Sequence, residues 1–308
     1  QVLQHARVVI VDHLGSESTW PYGAEQLGLV ARRHEQALAL FSGDMTEDPG
    51  LLARSTLPQT VARLLWQYLR AGGSANALEF LRAAAFHGLG HGREPLPPRP
   101  LSPVALHVPL AWAAAQADPL RALQGAWHAG APVVALVFYR SHLLAGNTAA
   151  FDELVLALHA RGLNPLPLAV YSLKEPLCLA TLRELCQQHA VQLVLNTTAF
   201  AALGHAAGDG PVAALAGDAP VLQVVVSGSN RDDWRADEQG LRPRDIAMQV
   251  VLPEMDGRVI SRAVSFKAGT RRCPHTQVDL VHYESEPDRI AFVAELAARW
   301  CRLRRLPA

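Results

Sequence analysis

Glu254 and Asp256 stand two residues apart, with Arg258 beside them, in the run Leu252-Pro253-Glu254-Met255-Asp256-Gly257-Arg258. A carboxylate is a hard oxygen ligand for a metal and a general base for a proton. The same residues also suit plain turn formation. Glu254 would then cap a turn and Asp256 support Gly257, since Asp-Gly is a common turn pair. The second candidate is His142, in Phe138-Tyr139-Arg140-Ser141-His142-Leu143-Leu144-Ala145-Gly146-Asn147-Thr148. An imidazole among Ser, Gly and Asn can ligate a transition metal or accept a proton near neutral pH. It can equally be an ordinary hydrogen-bonded loop histidine. The metal candidates are thus His142, Glu254 and Asp256, and the catalytic candidates Glu254 and His142.

Arg140, Arg231, Arg244 and Arg258 offer planar forks that match carboxylates bidentately. The plain alternative is surface arginine, because only two of the chain's 28 basic residues, Lys174 and Lys267, are lysines. Trp234 can stack on a flat ring or anchor a loop. Ser141, Asn147, Thr197, Gln223 and Ser227 complete the polar set read with Arg140, Arg258 and Trp234 as binding residues. Asn147-Thr148 also reads as a helix N-cap. His87 and His91 have the spacing of a helical metal pair, but Gly88, Gly90 and Gly92 interleave them and argue for a loop.

The elements that must position these groups follow from hydrophobic period. Residues 7–11 and 37–41 read as strands around a helical pattern at 24–34, a βαβ unit. Residues 58–86 are helical, interrupted at Gly72-Gly73. The run Pro95-Leu96-Pro97-Pro98-Arg99-Pro100 cannot sit inside a helix or a central strand. Residues 91–131 are therefore expected to be a Pro/Gly-rich linker with a short helix. They separate an N-terminal α/β and helical portion, 1–90, from a domain at 132–308.

From residue 133 apolar strands at 133–139, 166–171, 193–196 and 221–226 alternate with helices at 148–161 and 180–189. The expected fold class is α/β, an N-terminal α/β portion followed by a doubly wound parallel-sheet domain. Ligands of such sheets bind outside the carboxyl ends of strands. Arg140-Ser141-His142, Asn196-Thr197-Thr198 and Ser227-Gly228-Ser229 are each expected just past a strand, on one edge. Beyond residue 226 the chain reads as loops with a helix at 243–251, ending near Pro253, with Pro243 in its first turn. A late strand at 278–283 and an amphipathic helix at 287–303 close the chain.

Composition narrows the function. The formal net charge is zero, which leaves no electrostatic footprint for nucleic acid. Glu175 follows Lys174 and Ala268 follows Lys267, so neither lysine belongs to a phosphate-cradling Gly-Lys-Ser/Thr loop. Any ATP is expected to bind another chain or region. Cys178, Cys186, Cys273 and Cys301 include no Cys-x-x-Cys pair and read as thiols in a reducing cytoplasm. No apolar run approaches the ~18 residues that span a bilayer, and no secretory signal shows, so no membrane is expected.

The motifs together carry a resemblance. Residues 227–267, with Gly240-Leu241-Arg242-Pro243-Arg244-Asp245 and Val264-Ser265-Phe266-Lys267, resemble the large-subunit family of cobaltochelatase (CobN) and magnesium chelatase. Residues 138–148, Leu195-Asn196-Thr197-Thr198-Ala199-Phe200-Ala201 and the opening Leu14-Gly15 with Trp20-Pro21-Tyr22-Gly23 extend it along the chain. The resemblance implies a fragment of a very long cytoplasmic polypeptide. It implies Co(II), as substrate metal, inserted into the tetrapyrrole hydrogenobyrinic acid a,c-diamide in cobalamin biosynthesis. ATP-Mg would be bound by partner AAA+ ATPase subunits, not by this chain. His142 and Glu254 would then act on ring N–H protons or the metal, and the arginines on the ring periphery. The same Arg-Ser-His triplet is similar in magnesium-chelatase relatives. A magnesium-chelatase-type protoporphyrin-binding subunit therefore stays open, as does a non-catalytic tetrapyrrole or metal-binding module.

Overall fold

β-Branched and leucine-rich runs become two parallel strands near the start of the chain, β1 (Val8–His13) and β2 (Ala37–Ser42), in register from Val8 opposite Ala37 to His13 opposite Ser42. The computed structural model describes residues 3–100, 102–112, 118–199, 215, 217–268, 271–274 and 277–305. It divides into two compact units, Gln1–Leu101 and Ser102–Ala308.

In the first unit, helix α1 (Pro21–Arg33) joins the two strands as the expected βαβ. The period-2 alternation of the strands splits their side chains between two faces. Val9, Leu38 and Leu40 pack with Ala24 and Ala31 of α1 and with Leu51 of α2 (Pro49–Ala53). Ala39 and Phe41 pack with α3 (Gln59–Ala71) and α4 (Gly73–Leu89) through Leu65, Tyr68 and Ala83. Gly72, at φ 70°, is the break between α3 and α4. Helix α4 runs further than expected and includes His87, whereas His91 lies beyond its left-handed cap at Gly90. Gly88 sits in the helix for closeness: a Cβ there would lie 2.7 Å from Val8 Cγ2.

The second unit opens with β3 (Val104–Leu106) and α5 (Pro119–Ala126), both inside the span expected as a linker. Then come β4 (Val133–Tyr139), α6 (Arg140–Leu144), α7 (Ala149–Ala160), β5 (Asn164–Val170), α8 (Pro176–Gln188), β6 (Val191–Asn196) and β7 (Val221–Asn230). Helices α9 (Arg231–Ala236), α10 (Pro243–Ile246) and α11 (Leu252–Met255) precede β8 (Val259–Lys267), and a π-helical turn, Ala247–Val251, links α10 to α11. The short strands β9 (Arg271–Arg272), β10 (Asp279–Leu280) and β11 (Tyr283–Ser285) lead to α12 (Pro287–Arg304).

One sheet takes the order β11-β8-β7-β6-β4-β5-β3, and β9 pairs with β10 apart from it. Strands β4 to β8 are mutually parallel, with β3 and β11 antiparallel at the edges. Counting the parallel strands in chain order, they lie 2-1-3-4-5. The order therefore reverses between β4 and β6, the point where doubly wound sheets open a ligand crevice. Helices α7 and α12 bury one face through Leu154, Val155, Leu158, Ile290 and Val293. On the other face α8 packs Leu182 and Cys186 onto Leu166, Leu168 and Val194. Each fully buried leucine contributes roughly 1.5–3 kcal/mol.

Several expectations are corrected. Residues 227–267 are not only loops. Strand β7 continues through Ser227-Gly228-Ser229 to Asn230, and 259–267 form the nine-residue strand β8. The helix expected to end near Pro253 passes through it to Met255. Pro253 falls in the first turn of α11, where its missing N–H costs least. The late strand is split into β10 and β11. Arg140-Ser141-His142 forms the short helix α6 rather than a loop.

Candidate functional site

The switch point between β4 and β6 is tied shut at its root. Thr197 donates to the Val137 carbonyl from its backbone N–H (2.8 Å) and its hydroxyl (3.0 Å). The Tyr139 hydroxyl donates to the Ala199 carbonyl at 2.9 Å. Arg140 turns inward at 7 % exposure. It donates to the Ser102 carbonyl at 3.2 Å, with its guanidinium 5.5 Å from the centre of the Tyr171 ring. Burial holds its pKa below the ordinary arginine value. Ser141, the next residue, is exposed.

Arg258 is the centre of a buried polar cluster. Strand β7 begins level with the carboxyl end of β6, Gln223 opposite Asn196, and β8 begins with Val259 opposite Leu222. By this register Arg258, just before β8, lies level with Val194 inside β6, and its long side chain reaches along the strands to the loop that follows β6. Arg258, 3 % exposed, pairs with Asp256 Oδ2 at 2.9 Å. It donates to Gln223 Oε1 at 2.9 Å and to the Thr198 carbonyl at 3.3 Å. That carbonyl also accepts from Asn196 Nδ2 (3.1 Å) and Gln223 Nε2 (3.0 Å). Burial lowers the Arg258 pKa and the Asp256 carboxylate opposes the shift. The geometry engages Asp256, Arg258, Gln223 and Thr197 with the protein's own polar groups.

A second cluster forms where α6 meets β11. The His142 ring packs edge-on against Phe151 (5.1 Å between centroids, 64°) and Tyr283 (5.2 Å, 72°). Among the described residues no hydrogen bond reaches its ring nitrogens. Burial holds the imidazole below the ordinary histidine value, favouring its neutral form. Asn147 does not cap α7: its Oδ1 accepts from the Tyr283 backbone N–H at 3.1 Å. The Tyr283 phenol is raised by burial and then by the charge of Asp245. Asp245, buried in α10, accepts from the hydroxyls of Ser227 and Ser229 and from the Gly228 N–H at 3.1 Å. Those bonds tie the start of the α10–α11 run to the end of β7.

Glu254 is exposed near the end of α11. It precedes the start of β8, whereas Tyr283, in contact with His142, is paired with Lys267 at that strand's end. Nine residues at ~3.3 Å each put His142 and Glu254 toward opposite ends of a strand about 30 Å long. Trp234 stacks on Phe266 at 4.2 Å, with Arg289 4.6 Å from its ring. Arg231 pairs with Glu284 and Glu286, and Arg244 is exposed. Among the described residues no group of three or more His, Cys, Asp or Glu is placed to hold a metal, and no helix is long and apolar enough to cross a membrane.

Sequence reasoning missed Asp245 and Tyr283. Asp245 lay in a motif already singled out, but its serine partners sat in residues read as a loop. Tyr283 had no local signal, because its neighbour Asn147 is 136 residues away.

The geometry can be set beside known proteins. Residues 66–308 match the model of a family described as CobN/Magnesium Chelatase. The chain is 43% identical, over its whole length, to the aerobic cobaltochelatase subunit CobN of Pseudomonas aeruginosa. It is 37% identical over 98% of its length to CobN of Sinorhizobium. Rice magnesium-chelatase subunit ChlH is 28% identical over 41% of the chain. Among solved structures, the catalytic subunit of cobaltochelatase from Mycobacterium tuberculosis superposes with a TM-score of 0.69 over 99% of the chain, at 29% identity. The chain spans about a quarter of the length of these cobaltochelatase relatives, 24% in each case.

Proposed function

This chain belongs to the CobN/magnesium chelatase family, and from that premise we propose that it is part of the large, substrate-binding subunit of an ATP-dependent cobaltochelatase. Its substrates are Co(II) and hydrogenobyrinic acid a,c-diamide. Partner AAA+ ATPase subunits bind ATP-Mg and drive the insertion. The observation that carries cobalt over magnesium is coverage. Similarity to two CobN proteins extends over nearly the whole chain, whereas similarity to ChlH covers 41% of it.

Insertion requires that two ring N–H protons leave and that the metal sheds its water. His142, edge-packed and neutral, suits proton acceptance or transient metal ligation. Exposed Ser141 beside it contacts the ring periphery. Glu254 acts at a separate point, as a base or as an oxygen ligand for incoming metal. Asp256 and Arg258 serve through their ion pair, which with Gln223 and Thr197 fixes the loop after β6. Trp234 and the fully buried Ser227 serve indirectly, through the stack on Phe266 and the bond to Asp245 that ties α10 to β7.

The test uses the full-length protein with its partner subunits and ATP. Hydrogenobyrinic acid a,c-diamide with Co(II) should show the absorption change of metal insertion. Insertion of magnesium into protoporphyrin, with none of cobalt, would replace this reading with the magnesium-chelatase one. Tetrapyrrole binding without insertion of either metal would leave the binding module.

A further inference from the structure

Among the candidates for chemistry His142 is unusual in that packing, not hydrogen bonding, sets its orientation. Its ring meets both Phe151 and Tyr283, each at a steep interplanar angle. Phe151 is fixed in the core, 2 % exposed and stacked on Phe138 at 4.3 Å between centroids. Tyr283 is a different case, because it begins the short edge strand β11, three residues long. Two bonds hold it there: its pairing opposite Lys267 and the Asn147 Oδ1 that accepts its N–H. Asn147 lies five residues after His142, and the backbone closes that loop too, the Asn147 N–H donating to the His142 carbonyl at 2.8 Å. The loop that carries the imidazole and the strand that braces it are therefore joined through one side chain.

We propose that Tyr283 and Asn147 are positioning residues for His142: Asn147 fixes the Tyr283 backbone, and the Tyr283 ring clamps the imidazole against Phe151 with its nitrogens left to substrate. The proposal rests on the reading of His142 given above. It gives Asn147 a brace's role in place of substrate contact. It also requires the ring of Tyr283 but not its hydroxyl, since ring faces and edges make the contact.

The test is chelation kinetics in the full-length protein with partner subunits, for Tyr283→Ala, Tyr283→Phe, Asn147→Ala, Asn147→Asp and His142→Ala. A misplaced catalytic group costs up to about 100-fold, so Tyr283→Ala should lower kcat by roughly 10- to 100-fold with KM for the tetrapyrrole nearly unchanged. Tyr283→Phe should restore the rate. Asn147→Ala should show a smaller loss that Asn147→Asp, which keeps an acceptor oxygen, recovers. Combined with His142→Ala, Tyr283→Ala should add no further loss. Retained tetrapyrrole quenching of tryptophan fluorescence in Tyr283→Ala checks that the variant folds. Should that variant fail to fold, Tyr283→Leu, which keeps the apolar bulk without the ring, takes its place. A normal kcat in Tyr283→Ala with an impaired His142→Ala overturns this inference alone. A His142→Ala variant with wild-type rate overturns both it and the reading beneath it. A raised KM, or equal losses in Phe and Ala, assigns Tyr283 to substrate contact and also overturns the clamp.

Discussion

His142 and Glu254 lie toward opposite ends of β8: the first touches Tyr283, paired with the strand's last residue, and the second precedes its first. Groups so separated do not share one ligand sphere. Their effects on the proposed reaction should therefore be independent.

Glu254→Gln keeps the shape of the side chain but takes no proton and gives a metal no charge. Metal insertion by the full-length assembly should fall by roughly 100- to 10,000-fold, the usual cost of losing a general base, with tetrapyrrole binding nearly intact. Added to His142→Gln, its loss should multiply rather than saturate, as for distant sites. Wild-type rates in Glu254→Gln at saturating metal would return the residue to a helix-end role.

Removing one member of the Asp256–Arg258 pair takes away the ion-pair partner that the other holds at 2.9 Å in a buried site. Arg258→Met and Asp256→Asn should each cost about 3–5 kcal/mol, as for other broken buried ion pairs. Replacing both with apolar residues should cost less than the two single losses combined. Urea unfolding of the three variants measures this. Additive losses in the double variant would show that the charges are not each other's main support.

The burial that lowers the His142 pKa also makes folding depend on pH. With the folded value below the ordinary 6.5, the unfolded chain binds more protons between the two values. This contribution is fully present above pH 6.5 and is lost as pH falls through the folded value. His142→Gln should therefore flatten part of the decline in melting temperature on acidification. Parallel curves for wild type and variant from pH 8 to 5 would remove His142 from the account.

At Gly88 packing opposes helix propensity. Alanine is the better helix former by about 1 kcal/mol, yet its Cβ would meet Val8 Cγ2 at 2.7 Å. Gly88→Ala should destabilise by roughly 1–3 kcal/mol, the range for overpacking. Val8→Ala in the same chain should recover part of that. Thermal unfolding decides, and a more stable Gly88→Ala would show that α4 can shift away from β1.

The period of apolar residues made the centre of the fold legible: β4 to β7, α7, α8, α12 and the first βαβ were all read close to where they lie. The edges escaped. Strand β8 begins exposed and buries only its later half, so Val-Ile-Ser-Arg reads as a loop until a neighbouring strand is present. Strand β3 is three residues next to a proline-rich run. The site was legible as residue types but not as partners. Thr197 takes a carbonyl 60 residues back and Arg258 reaches Gln223 35 residues back. Nothing local distinguishes such a polar residue from one that faces substrate.

The scarcity of lysine has a practical side once the strands are placed. Lys174 follows the carboxyl end of β5, and Lys267 closes β8. The chain's only two side-chain amines therefore stand at or past the carboxyl ends of parallel strands, on the edge to which α6 also belongs. Amine-directed labelling or cross-linking of this chain reports almost exclusively on that edge. A bound molecule or neighbouring subunit that covers it should silence both sites together, while one docked at the amino ends should leave them reactive.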